Sequence, residues 1–218
     1  MPEPEKSPSV SLPNSNLADS KSRLLAAVGI VLRREGLAGL SLRAVAREAG
    51  VSHALPGACF GDKAGMLTAW AALAFRELGA TMAASAETAA DGPAALAATG
   101  QAYIRFALAD PQRFELIFRQ ELLHRDDAEL RAARSAGAQP LFDAIRRSAE
   151  EGHLSADQKR VARVTAWAMV HGLAQLAVTG QLGKPSDLEH NGLVEQITAW
   201  FASRLSGDLP RDPGTPSA

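Results

Sequence analysis

Ser41-Leu-Arg-Ala-Val-Ala-Arg-Glu-Ala-Gly-Val-Ser52 is the stretch that decides the fold. It has the parts that two short helices crossing at a tight corner require. Ser41 is an N-cap residue for the first helix, because its hydroxyl can accept an orphan backbone N–H. Ala46 is small enough for a close helix crossing. Gly50 tolerates the left-handed conformation that ends a helix. Val51 is an apolar plug between the helices, and Ser52 is an N-cap for the second. Leu42, Val45 and Ala49 fall on the inner face, which leaves Arg43 and Arg47 facing outward. The pattern is that of a helix-turn-helix, although an ordinary αα-hairpin also favours glycine at its corner.

The surroundings extend this corner into a small domain. A first helix is expected from Ser20 to Glu35, with Leu24, Leu25, Val28, Val31 and Leu32 as its inner stripe and Gly36 as its stop. A third short element ends near Phe60, and a long helix runs from Asp62 to about Thr88. Residues 20–63 hold seven basic and three acidic side chains, whereas the whole chain of 218 residues has a net charge of −1. A basic head on a mildly acidic body suits contact with phosphate at one end of the molecule. A solvated charged helix face is the alternative reading of the same excess.

Around this head the chain reads as helical throughout. Gly92-Pro93 and Asp110-Pro111 place proline in first turns, where its missing N–H costs nothing. Residues 128–151 read as one or two helices, broken or entered near Gly137 and Pro140. Ser155-Ala-Asp-Gln158 and Ser186-Asp-Leu-Glu189 are capping boxes. They open helices to about Thr179 and Leu205. The expected architecture is all-α, with about nine helices. The expected domains are a disordered arm at 1–18, the head at 19–67, a helical body at 68–205 and a disordered tail at 206–218.

From position 50 the sequence continues Gly50-Val-Ser-His-Ala-Leu-Pro-Gly-Ala-Cys-Phe-Gly-Asp-Lys-Ala-Gly-Met-Leu67. This segment resembles, without gaps, the recognition segment of the TetR family of transcriptional regulators. Arg23-Leu-Leu-Ala-Ala-Val28 leading to Gly36 is similar to the same family's first helix. Phe60 and Lys63 fall where the family has its Phe and Lys. In the body, Trp167-Ala-Met-Val-His171-Gly172 is similar to the Trp-x-x-x-His-Gly signature of one TetR C-terminal class, and Tyr103 to Phe118 resembles the segment preceding it.

The resemblance implies a helix-turn-helix head on a ligand-binding and dimerisation body. It implies double-stranded operator DNA as partner, touched by Ser41, Arg43, Ser52, His53, Ala54, Gly57 and Lys63. His53 is the side chain expected at base edges, with a solvent-facing polar residue as the alternative. Where family members have an aromatic and a His, this chain has Gly57 and Cys59. Pro56 and Gly57 predict a recognition helix less rigid than usual and poor in phosphate contacts. Cys59 reads as a small buried residue, with no basic neighbour close in sequence to activate it. A single cysteine excludes an intrachain disulfide and fits a reducing, cytoplasmic site.

The aromatic residues of the body suit a small, largely apolar effector, because ligand sites are mostly apolar with few polar groups. Tyr103, Phe106, Phe114, Phe118, Trp167 and His171 are its candidate contacts, and plain core packing is the alternative for each. Gly172 is expected to admit a neighbouring helix. The last two helices have broad apolar faces, through which the family resemblance implies a homodimer. The five histidines show no metal-ligand spacing, and no phosphate loop or nucleophile elbow occurs, so neither a cofactor, a metal nor catalysis is expected. No apolar run of membrane length is present, and no membrane partner is expected. The competing reading is a helical interaction protein whose helix-turn-helix no longer binds DNA.

Overall fold

The structure, a computed structural model, describes residues 14–155, 157–184, 188 and 192–205. It is all-helical among these residues and divides into two compact units, Met1–Trp70 and Ala71–Ala218.

The first unit contains α1 (Asn14–Gly39), α2 (Leu42–Ala49), α3 (Leu55–Phe60) and the opening turns of α4 (Lys63–Glu87). Leu24, Ala27, Val28, Val31 and Leu32 of α1 are buried together with Leu40, Ala44, Val45, Ala46, Met66 and Leu67. Helix α1 begins at Asn14, inside the stretch expected to be a disordered arm. Nothing between Asn14 and Ser20 breaks a helix, so these residues join α1. At its other end Gly36 takes φ 66° and ψ −175° and interrupts the helix where the sequence places its stop.

Helix α2 follows its sequence reading closely. Ser41 accepts from the Ala44 N–H at 3.1 Å. Gly50 takes φ 65° and ψ 38°, the Val51 N–H reaches the Ala46 carbonyl at 3.0 Å and the Gly50 N–H the Arg47 carbonyl at 3.3 Å. This is a Schellman stop, the device a helix-turn-helix corner uses. Leu42 and Ala49 are only half-buried, and Ala44 takes a share of the inner face. Helix α3 starts later than expected. Ala54, not Ser52, is its N-cap, and no side chain caps it. Pro56 therefore sits in the first turn and is buried there. Its N–H would have had no helical partner, so the expected loss of rigidity does not arise from it.

The second unit contains the rest of α4, α5 (Gly92–Ala109), α6 (Pro111–Phe118), a 3-10 turn (Gln120–Leu122), α7 (Ala128–Glu150), α8 (Gln158–Val178) and α9 (Leu193–Leu205). Asp91, Asp110 and Asp127 cap α5, α6 and α7 through bonds of 2.8, 3.1 and 2.8 Å to Ala94, Arg113 and Leu130 N–H groups. Half of the first capping box forms, with the Gln158 side chain accepting from the Ser155 N–H at 2.9 Å. Of the second, only Leu188 is among the described residues.

Helix α5 is central and packs against α6, α7, α8 and α9. Leu96, Tyr103, Ile104 and Ala107 are buried on it, as is Gly100, whose bare α-carbon admits Thr198 of α9 and Val170 of α8. Such all-round burial marks a core helix.

Helix α7 is one continuous helix with Pro140 inside it. Pro140 cannot hydrogen-bond the Ala136 carbonyl. That carbonyl lies against Gly79 of α4, where a Cβ would come within 2.9 Å of it, and Gly137 beside it meets the Phe75 carbonyl at the same separation. The paired glycines let the two backbones touch where the helix ladder is already interrupted. Gly172, by contrast, has no atom within 4 Å of a Cβ position, so it admits no neighbouring helix.

Among the described helices, α8 alone has the length and mean hydropathy (1.2) of a membrane span. Lys159, Arg160 and Arg163 occupy its first turns. Its apolar surplus lies on an exposed face, with Val161 57%, Val164 66% and Leu176 39% exposed. On α9, Trp200 is 63% and Leu193 37% exposed.

Candidate functional sites

In the first unit, the helix-turn-helix presents exposed Ser41, Arg43, Ser52, His53 and Ala54, with Gly57 and Lys63 half-exposed. These residues differ in how far they are already engaged. Arg43 forms no ion pair among the described residues, and neither Ser52 nor His53 engages another side chain there. The Lys63 ammonium donates to the Leu37 carbonyl at 3.2 Å, which ties the start of α4 to the end of α1. The Gly57 Cβ position faces open space. Cys59 is half-buried and unpaired.

Much of the basic excess read from the sequence is internally occupied. Arg23 donates to the Ala49 carbonyl at 2.8 Å, at the negative end of α2. Arg34 bridges Glu35 and Glu48 at 2.8 and 2.7 Å, and both contacts hold its guanidinium pKa above the ordinary value. Arg47 lies 3.7 Å from Glu35, and the Lys21 ammonium stands 5.7 Å over the Phe60 ring. Arg43 is therefore the exposed cation of the corner least committed to the protein itself.

In the second unit, an aromatic cluster grows from α5, α6 and α8. The Tyr103 hydroxyl lies 2.8 Å from His171 Nδ1. Tyr103 is fully buried, and burial pushes its phenol far above the ordinary range. It therefore stays protonated and donates. His171 Nδ1 then accepts, which leaves the proton of the neutral ring on Nε2. Burial also lowers the His171 pKa, favouring that neutral form. Trp167, one turn away, stacks on the His171 ring at 5.8 Å with 5° between planes, and Phe118 meets the same ring edge-on at 4.6 Å.

Beside this cluster lies a half-open cavity of about 610 Å³, within the range of small-molecule sites. Phe118, Trp167 and His171 line it. Tyr103 and Phe114 are buried behind the wall as part of the core, and Phe106 packs under the Arg113 guanidinium at 5.1 Å. These three are not lining residues. Phe75, Ala138, Phe142 and Val164 complete the apolar wall.

The remaining lining is polar and was missed in the sequence: Gln120, Arg134, Arg160 and Arg163. A signal for part of it existed. Positions 160, 163, 164, 167 and 171 are spaced at three and four, so they form one stripe on α8. Taking Trp167 and His171 as site residues points along that stripe to both arginines.

No curated protein matches the sequence. Residues 96–199 match the family model described as Tetracyclin repressor-like, C-terminal domain. The fold is similar to that of a protein of unknown function from Rhodococcus sp. RHA1, at 30% identity and TM-score 0.71, covering 86% of this chain and 93% of that one. It is also similar to the TetR family transcriptional regulator PfmR from Thermus thermophilus, at 20% identity and TM-score 0.61, covering 87% and 97%.

The chain belongs to the TetR family. A TetR family transcription regulator from Marinobacter aquaeolei shows the same fold at 19% identity and TM-score 0.63, covering 86% and 97%. The family model covers most of the second unit, and the first unit has the helix-turn-helix fold. TetR proteins are transcription regulators rather than enzymes.

Proposed function

We propose that this TetR protein is a cytoplasmic transcriptional repressor that binds double-stranded operator DNA as a homodimer and is released by a small effector. The observation that carries the reading is the Schellman-closed corner at Gly50, which presents Arg43, Ser52 and His53 uncommitted to other side chains. Arg43 supplies a phosphate contact, Ser41 and Lys63 flank it, and His53 with Ser52 and Ala54 meets base edges. Gly57 contributes only its backbone.

The exposed apolar faces of α8 and α9 support pairing of two copies. A two-fold pair sets the recognition helices about 34 Å apart on a pseudo-palindrome. Helix α4 is continuous from Lys63 to Glu87, so it holds residues of both units. Effector binding favours a conformation in which α4 swings the head and changes that spacing.

A mobility-shift titration with the DNA flanking the gene tests this. The expected result is a salt-sensitive shift that Arg43→Ala weakens about equally on all sequences, lowering the salt slope by roughly one. His53→Ala should instead relax preference at particular base pairs, and a uniform loss would contradict its role. No shift at micromolar protein would favour a helical interaction protein with an inactive corner, a reading to which the depleted surface at Gly57, Ala58 and Cys59 gives some weight.

A further inference from the structure

Resting on the effector-responsive reading above, we infer that the cavity beside Trp167 and His171 takes an amphipathic anion: an apolar chain or ring ending in a carboxylate or phosphate, held by Arg134, Arg160 and Arg163. The sequence points to a largely apolar effector, but the cavity adds a charge requirement. Three guanidinium groups share the lining, and no acidic side chain does. None of the three has a carboxylate partner among the described residues. Elsewhere in this unit arginines are commonly paired: Arg76 with Glu129 at 2.7 Å, Arg147 with Glu151 at 2.8 Å, Arg146 with Asp143 and Glu150 at 3.2 and 3.0 Å. Three arginines without a carboxylate partner thus meet where the wall is otherwise largely apolar.

Cations gathered at the mouth of an apolar cavity raise the local concentration of anions there. Two of the three guanidiniums are also pre-oriented. The Arg163 guanidinium lies 3.8 Å over the Phe142 ring and that of Arg134 5.6 Å over the Phe75 ring. Stacking uses the faces and leaves the N–H edges for an oxyanion, which a guanidinium can grip with two parallel bonds. The rings of Phe75, Phe118, Phe142 and Trp167 then cover the apolar body, and Nε2–H of His171 is a further donor on the wall.

Isothermal titration of the full-length protein without DNA tests this. Decanoate and decyl phosphate are the probes, and 1-decanol is their uncharged match. At least one anion is expected to bind tenfold or more tighter than decanol, and more weakly as salt rises. The two anions separate a carboxylate from a phosphate preference. Arg160→Gln/Arg163→Gln should abolish the preference while leaving the melting temperature and decanol binding in place; Lys184→Gln, an exposed charge away from the cavity, should leave it intact. The proposal falls if neither anion binds, if decanol binds as well, or if the double variant keeps the preference. Because no DNA is present, the two readings fail separately. Decanoate binding without operator binding would sink the repressor and keep the anion site. Operator release by decanol alone would do the reverse.

Discussion

At position 57 a glycine stands in α3 with open space where a side chain would project. Gly57→Tyr should therefore be accommodated without a clash and also lower the helix penalty by about 0.5 kcal/mol. A phenol there can donate to a phosphate, a charge-assisted bond of about 1.5 kcal/mol or about tenfold in affinity. Because the hydroxyl is neutral, it displaces no counterion. Binding isotherms should shift to tighter affinity with an unchanged salt slope, and a weaker-binding variant would refute the geometry. In the cavity wall, His171 gives a pH signature. Burial favours the neutral ring in the folded chain, so the unfolded chain holds the proton more tightly. Stability from this group is complete above the ordinary imidazole value of 6.5 and is lost as pH falls from there through the lowered folded value. Urea midpoints at about pH 7.5 and about pH 5.5 should differ more for the wild type than for His171→Gln. Equal drops would remove His171 as the cause. The resemblance to a family signature flagged Trp167 and His171. It did not flag Arg134, which reaches the cavity from α7, because nothing in sequence links that helix to α8.

Between elements, bare backbone meeting bare backbone sets a tight constraint where α4 passes α7. Gly79→Ala would push a methyl to 2.9 Å from the Ala136 carbonyl oxygen and 3.0 Å from the Gly137 α-carbon. Both are backbone atoms in long helices and neither can turn aside. A loss of about 1–3 kcal/mol in urea unfolding is expected, and a neutral result would mean that α4 and α7 slide easily. The helices themselves were largely legible, because their ends are written locally: Asp91, Asp110 and Asp127 each cap the helix that follows them. For the opposite reason, Pro140 left open whether residues 128–151 form one helix or two. What tolerates it is a glycine in another helix about sixty positions away, and no local pattern announces such a partner. Likewise Ser52 carries the right chemistry for a cap, yet α3 opens at Ala54. Short helices leave their first residue to tertiary packing.

For the molecule as a whole, the proposed homodimer would be formed through the outer faces of α8 and α9. Trp200→Glu would bury a carboxylate in any seam formed there, which costs several kcal/mol unless it finds a partner. Sedimentation should show the variant dissociating at concentrations where the wild type stays paired, with operator affinity falling alongside. A variant that remained dimeric would move the seam elsewhere. Composition told correctly that the chain is helical and that its charge is uneven, but it overstated the charge available to a partner, since Arg23 and Arg34 are spent within the fold. The exposure of Val161 and Val164 on α8 and of Trp200 on α9, if it marks the proposed pairing surface, also bears on regulation by dose. Where copies are scarce enough to be mostly single, the amount of operator-competent pair rises with the square of the amount of chain. Halving synthesis would then cut it about fourfold by mass action, so a gene under this regulator would respond to its supply more steeply than in proportion.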